Sequence, residues 1–148
     1  MASVTRERTV SAPAEEVWAV VSDPHAFPRW WPHVVRVEDV EEDAWTKVLR
    51  TPSGKTVRAD FTRVEIESPR RIAWRQELEE SPFERIFSSA VTEVELSSAE
   101  GGGTRVALTS SEKVRGRFRI GGGFLVRRAA RRRLDDALVG LEQAVGRA

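Results

Sequence analysis

Hydrophobic and polar positions alternate from the start of the chain: Val4, Arg6, Arg8 and Val10 share one parity, and Thr5, Glu7 and Thr9 the other. A period of two is that of an extended strand. Pro13 follows where the first turn of a helix tolerates proline, and Glu15 and Glu16 suit the positive end of the helix dipole. Ala14, Val17, Trp18 and Val21 then recur at helical spacing. Asp23-Pro24 repeats the cap-and-proline signal. Pro28 limits this second helix to a turn or two, because it removes a backbone donor.

From Pro32 to about Val114 short runs suited to strands are separated by turn chemistry: "EEDA", "TPSGKT", "ESPRR", "EESPFE" and "SAEGGGT". Strands joined by such short turns are antiparallel neighbours, so this part reads as a meander. Gly121, Gly122 and Gly123 punctuate once more and act as a hinge. Beyond them Val126, Ala130, Leu134, Ala137, Leu138, Leu141 and Val145 keep helical spacing. The predicted order is strand, two short helices, six strands, long helix, in one domain spanning 1–148. The economical way to bury both apolar faces is an α+β arrangement: a curved seven-stranded antiparallel sheet with the long helix laid across it.

Alternation assigns an inner face to several strands. Ile72, Trp74, Gln76 and Leu78 share one parity, as do Ile86, Ser88, Ala90, Thr92, Val94 and Leu96, and Val106, Leu108, Ser110 and Glu112. One end of this face is filled by Val94, Leu96, Val106 and Leu108. Towards the other end the side chains become small or polar: Ser88, Ala90, Thr92 and Ser110. Small residues leave volume that is costly unless something occupies it. Either a ligand does so, or Trp31, Trp74 and Phe124 fill it from the opposite side. In 56–67, Val57, Ala59 and Phe61 lie on one parity and Val64 and Ile66 on the other, which a bulge near Thr62 or Arg63 reconciles. Trp30 and Trp31 are adjacent, so they point in different directions. Trp30 is expected to pack structurally and Trp31 to lie nearer the vacant volume.

Composition narrows the function classes. The absence of cysteine excludes disulfides, thiolate metal sites and cysteine catalysis. No apolar run reaches membrane-span length and no signal-peptide pattern is present, so the cytoplasm is the expected location. Net charge is only +1, yet no acidic residue occurs between Lys113 and Arg133, whereas Glu38, Asp39, Glu41, Glu42 and Asp43 crowd one short segment. Arg115, Arg117, Arg119, Arg127, Arg128 and Arg131 form a basic arc. It is either a solvated face or a surface that attracts an anionic ligand or an anionic membrane. Nucleic acid ranks below these, because no aromatic residues are interleaved as stacking platforms.

The blocks "RTVSAPAEEVWAVVSDPHAFPRWWP", "SPRRIAWR" and "GGGTRVALTSSE", with a long helix ending in "LVGLEQAVG", resemble the SRPBCC superfamily of START-like helix-grip proteins. The likeness is greatest to its polyketide cyclase/dehydrase-like branch and runs from about Val4 to Val145. It implies an apolar cavity between sheet and C-terminal helix. It also implies a function among lipid or isoprenoid carriage, binding of aromatic molecules, and cyclisation or dehydration of polyketides. Fold alone does not choose between these.

On the inner face, residues expected to line a ligand site are Trp31, Phe61, Trp74, Gln76, Leu78, Ser88, Ala90, Thr92, Ser110, Glu112 and Phe124. Gln76 and Glu112 would orient a ligand carbonyl or hydroxyl. Glu112 is also a candidate base, although both residues sit at strand ends, where water is the simplest partner. His25 and His33 lie in an exposed corner without a carboxylate spaced to orient them. They make no metal site, and no cofactor is expected. The cyclases that the resemblance brings in use arginine and tyrosine to polarise a polyketide. Tyrosine is absent here, and Arg58 and Arg63 are the candidate arginines. Binding of a small hydrophobic molecule without chemistry is therefore the first expectation. A polyketide cyclase or dehydratase is the second, and a regulatory adaptor using its basic face the third.

Overall fold

The computed structural model describes residues 2–116 and 122–145. Strand β1 (Ala2–Val10) leads into helix α1 (Ala14–Val21), then a 3-10 turn at Pro24–Ala26 and the single-turn helix α2 (Phe27–Trp30). Six strands follow: β2 (Val34–Glu38), β3 (Ala44–Arg50), β4 (Thr56–Glu67), β5 (Arg71–Glu77), β6 (Phe87–Ser98) and β7 (Thr104–Val114). Helix α3 (Gly122–Val145) follows, so the element order of the described residues is the one the periodicity predicts. Asp23 caps the 3-10 turn through the His25 backbone N–H, whereas Pro28 falls in the first turn of α2, where its missing N–H costs nothing. The helix ends instead at Trp31, whose backbone is extended (ψ 131°) before Pro32. Asp23 also lies 3.2 Å from Nδ1 of exposed His25, so this histidine does have an orienting carboxylate, two residues back. Among the described residues no helix is long and apolar enough to cross a membrane.

All seven strands form one antiparallel sheet in the order β1-β7-β6-β5-β4-β3-β2. Strands β1 and β2 are consecutive in the chain but occupy opposite edges. The segment carrying α1 and α2 therefore spans the sheet from edge to edge and stops one end of the space beneath α3. Val94, Leu96, Val106 and Leu108 are at most 3% exposed and share a buried cluster with Leu134, Leu138 and Leu141 of α3. Arg6 and Arg8 stand on the inward parity of edge strand β1, opposite buried Leu108 and Val106. There they reach the flank of α3, Arg6 pairing with Asp135 and Arg8 with Glu142 through two hydrogen bonds each. Those acids are two helical turns apart on one face, and the Arg8 hydrogen bond holds the Glu142 carboxyl below its usual value.

At Gly140, α3 passes directly over the end of α2. A Cβ built there would lie 2.3 Å from the Trp30 carbonyl oxygen and 3.1 Å from its Cα, so only glycine permits this approach. Gly140→Ala must push the two backbones apart. It is expected to destabilise the fold by about 1–3 kcal/mol, despite alanine's better helix propensity. A chemical-denaturation midpoint checks this, and an unchanged midpoint would show that the helices do not cross here.

Candidate functional site

Beneath α3, where the inner face turns to small side chains, lies a cavity of about 280 Å³. Its floor follows the register of the sheet. Arg63, Trp74, Thr92, Ser110 and Val4 are successive partners across β4, β5, β6, β7 and β1, and the next row pairs Ala90 with Glu112. Trp74 is the large member of its row, and the alanine, threonine and serine beside it create the free volume.

The walls are aromatic. Phe27 is 2% exposed and lies 5.2–6.3 Å, ring centre to ring centre, from Trp30, Trp31, Trp45 and Trp74. Trp31 meets Trp74 edge-on at 5.7 Å, and Trp45 stacks on Phe61 at 6.4 Å. Trp31, Trp74 and Phe61 face the cavity, and Trp30 is buried under α3. The indole Nε1 of Trp74 is buried with no hydrogen-bond partner among the described residues.

One wall is polar. Glu112 is 6% exposed, and its Oε1 accepts from Arg133 Nη2 at 3.0 Å and from Ser110 Oγ at 3.3 Å. The same Arg133 nitrogen donates to Ser110 Oγ at 3.1 Å. Arg133 arrives from α3, so sheet and helix meet here through a charge-assisted cluster that lines the cavity.

Lys47 is a further charged residue of the cavity lining, set among the aromatic walls. It lies on the inner face of β3 opposite Ala59, between Trp45 and Leu49, and is 1% exposed. Its Nζ stands 3.9 Å from the ring centre of Phe27, 4.5 Å from Trp31 and Phe61, and 5.2 Å from Trp74. Burial, and secondarily the charge of Arg133, push its pKa well below the usual lysine value. The ring faces oppose that shift by stabilising the cation. Desolvation of an ammonium costs several kcal/mol, against about 2 kcal/mol or more for a desolvated cation–π contact, so the downward direction holds.

A family model described as "Polyketide cyclase / dehydrase and lipid transport" matches residues 1–146. The chain belongs to that family. Among solved structures, a START superfamily protein from Mycobacterium smegmatis superposes with a TM-score of 0.78 at 16% identity, over 97% of each chain. The di-domain ARO/CYC protein StfQ, from the steffimycin biosynthetic pathway, superposes with a TM-score of 0.78 at 13% identity. The present chain is covered over 98% of its length but spans only about half of StfQ, 50%. A Deinococcus radiodurans protein is 25% identical over 97% of this chain and 98% of its own, with a TM-score of 0.65. No curated protein matches the chain. The fold is that of the START-like helix-grip superfamily, as the sequence blocks imply.

Within this family frame, Trp31, Phe61, Trp74, Gln76, Ala90, Thr92, Ser110 and Glu112 come together around the cavity, whereas Leu78, Ser88 and Phe124 do not. Ser88 is exposed because the β6–β7 register shifts between Phe87 and Ser89, reversing the parity at the start of β6. Phe87 takes the inward position, and Ile86 is 36% exposed. Leu78 is buried but lies just past the end of β5, outside the lining. Phe124 is 61% exposed beside Leu125 at 64%, so it fills nothing. The bulge expected near Thr62 or Arg63 falls between Arg63 and Glu65, placing Ile66 opposite buried Ile72.

Neither candidate arginine reaches the cavity. Arg58 projects from the opposite face to the acidic segment, pairing with Glu38 and Asp39. Arg63 is half-buried on the floor row but outside the lining. Arg133 is the arginine that lines the site, and Glu112 is buried and paired with it instead of meeting water at a strand end. His33, expected to stand apart, lines the mouth with an exposed side chain and a left-handed backbone (φ 66°). Of the basic arc, Arg127, Arg128 and Arg131 are exposed. Arg115 donates to the Phe87 carbonyl, and Arg117 and Arg119 lie outside the described residues, as does Gly121 of the glycine hinge.

The strand containing Lys47 carried a signal that the sequence reading missed. "AWTKVLR" alternates, so Trp45, Lys47 and Leu49 share a parity and a lysine stands on the apolar face. Among the described residues no group of three or more acidic or histidine side chains is placed to hold a metal.

Proposed function

We propose that this protein binds a small apolar molecule of one or two rings, or a short isoprenoid, in the space between sheet and C-terminal helix. The oxygen function of that ligand meets the wall formed by Glu112, Ser110 and Arg133. The observation that carries this reading is the cavity of about 280 Å³ with aromatic walls and the hydrogen-bonded Glu112–Ser110–Arg133 cluster on one side. That volume lies just below the roughly 300–1,000 Å³ range of small-molecule sites, which favours compact ligands over long chains.

Native mass spectrometry of freshly purified protein tests the proposal. A second series heavier by one small organic molecule, lost on denaturation, is expected. A compound saturating the site at about 100 times its Kd adds about 2.7 kcal/mol of stability and raises the melting temperature. Apo mass alone, with no stabilisation across a library of aromatic ketones, phenols and isoprenoids, would contradict the reading.

A second reading, a cyclase or dehydratase acting on a compact poly-keto substrate, draws on buried Glu112 beside Arg133 as a proton-transfer group next to an oxygen-binding guanidinium. Conversion of such a substrate that is lost in Glu112→Gln and retained in Arg63→Ala would establish it.

A further inference from the structure

Lys47 serves no purpose in a purely apolar container. A lysine buried beside such a space costs free energy that leucine or methionine would not. It is also one of only three lysines in a chain of 24 basic residues, and the others, Lys55 and Lys113, are exposed. Three of the four rings around its Nζ (Trp31, Phe61 and Trp74) themselves form the cavity wall, so a bound molecule shares its walls with the amine. The carboxylate of the cavity is engaged by Arg133.

We propose that Lys47 is a nucleophilic amine that forms an imine with an aldehyde or ketone held in the cavity. This rests on the binding function proposed above and names the carbonyl compound as the ligand class. The Nζ lone pair attacks the carbonyl carbon to give a carbinolamine, and the C–N bond becomes double as the C–O bond breaks. The oxygen leaves as water, carrying away both amine protons, and no redox change occurs. Arg133 and the Ser110 hydroxyl supply donors to polarise the carbonyl, and Glu112 is the group placed to relay a proton. Burial supports the reactive form, since it favours the uncharged amine. The other charged or titratable residues lining the cavity are Arg133 and Glu112 on the polar wall, with Arg50 and His33.

The test is reductive trapping at pH 7 with 2-naphthaldehyde and cyanoborohydride, followed by peptide mapping of the three lysines and the N-terminus. Each trapped site gains the mass of the aldehyde less one oxygen atom. Binding of 2-naphthylmethanol, which has the same rings but no carbonyl, is followed in parallel by tryptophan quenching. Lys47 is expected to label faster than Lys55 and Lys113 by at least about tenfold, the cavity supplying the effective concentration. That labelling should vanish in Lys47→Met and in Lys47→Arg, each confirmed folded by circular dichroism. Should the alcohol bind while label reaches only Lys55, Lys113 and the N-terminus, imine formation is overturned and the binding function stands. Failure of the alcohol to bind together with an unlabelled Lys47 overturns both.

Discussion

Trp74→Ala is expected to destabilise the protein by about 3–5 kcal/mol, the range for truncating a fully buried aromatic side chain. For a chain of this length that is a fall in melting temperature of about 6–20 °C. Trp74 is 1% exposed and its ring lies within 6.3 Å of those of Phe27, Trp31 and Trp45, so truncation removes contacts from three neighbours at once. It also merges the space vacated with the existing cavity, where small Thr92 and Ser110 cannot collapse to fill it. Relief of the unpartnered indole N–H offsets part of the loss, about 1 kcal/mol. Trp74→Phe should retain most of the stability. Guanidinium unfolding of the three proteins decides the matter, and a loss below about 1 kcal/mol for Trp74→Ala would mean the ring is not central to the core.

The second large effect has the opposite sign. Lys47→Met should stabilise the protein at neutral pH by about 1–3 kcal/mol, because methionine keeps the contacts with the surrounding rings and removes a buried ionisable group. Since the folded-state pKa of Lys47 lies below 10.5, the unfolded chain holds more protons between the two values. Stability of the natural protein therefore rises with pH through that window. The contribution is fully present above about pH 10.5 and is lost as pH falls through the folded pKa. The alkaline range is unusually clean, because the chain has no tyrosine and no cysteine to titrate there. Denaturation midpoints between pH 7 and pH 10.5 should climb for the natural protein and stay nearly flat for Lys47→Met. Parallel profiles would show that Lys47 carries no burial penalty. If catalysis or ligand capture needs the amine, the more stable variant is also the inactive one, a common trade-off at functional sites.

The sequence made the architecture legible where one physical rule acted alone. Period-two alternation and Pro/Gly turns placed the strands, and the spacing of Leu134, Leu138 and Leu141 placed the helix that covers them. Alternation also set Trp74, Ala90, Thr92, Ser110 and Glu112 on one face, and the structure brings all five to the cavity. Alternation fails when a bulge changes parity, as the shift after Phe87 does for Ser88. The three-dimensional partner of Glu112 was also hidden. Arg133 belongs to a run of arginines of which Arg131 and Arg132 are exposed, and only the lie of α3 over β7 singles it out. Phe124 failed for a related reason: it precedes the buried stripe that begins in earnest at Ala130 and remains 61% exposed. Lys47 was legible but overlooked, a charged residue at a parity where its neighbours Trp45 and Leu49 are apolar.

Occupancy of the cavity is the central claim, and Ala90→Trp tests it most directly. Ala90 is buried, lines the cavity and pairs across the sheet with Glu112, so an indole there occupies the ligand's space while leaving the outer surface unchanged. In titrations with a two-ring aromatic ketone followed by calorimetry, the natural protein should bind one equivalent and release heat. The folded Ala90→Trp variant should bind at least about a hundredfold more weakly, a loss of about 2.7 kcal/mol. Equal affinity in the two proteins would place the ligand elsewhere and contradict a functional cavity between sheet and helix.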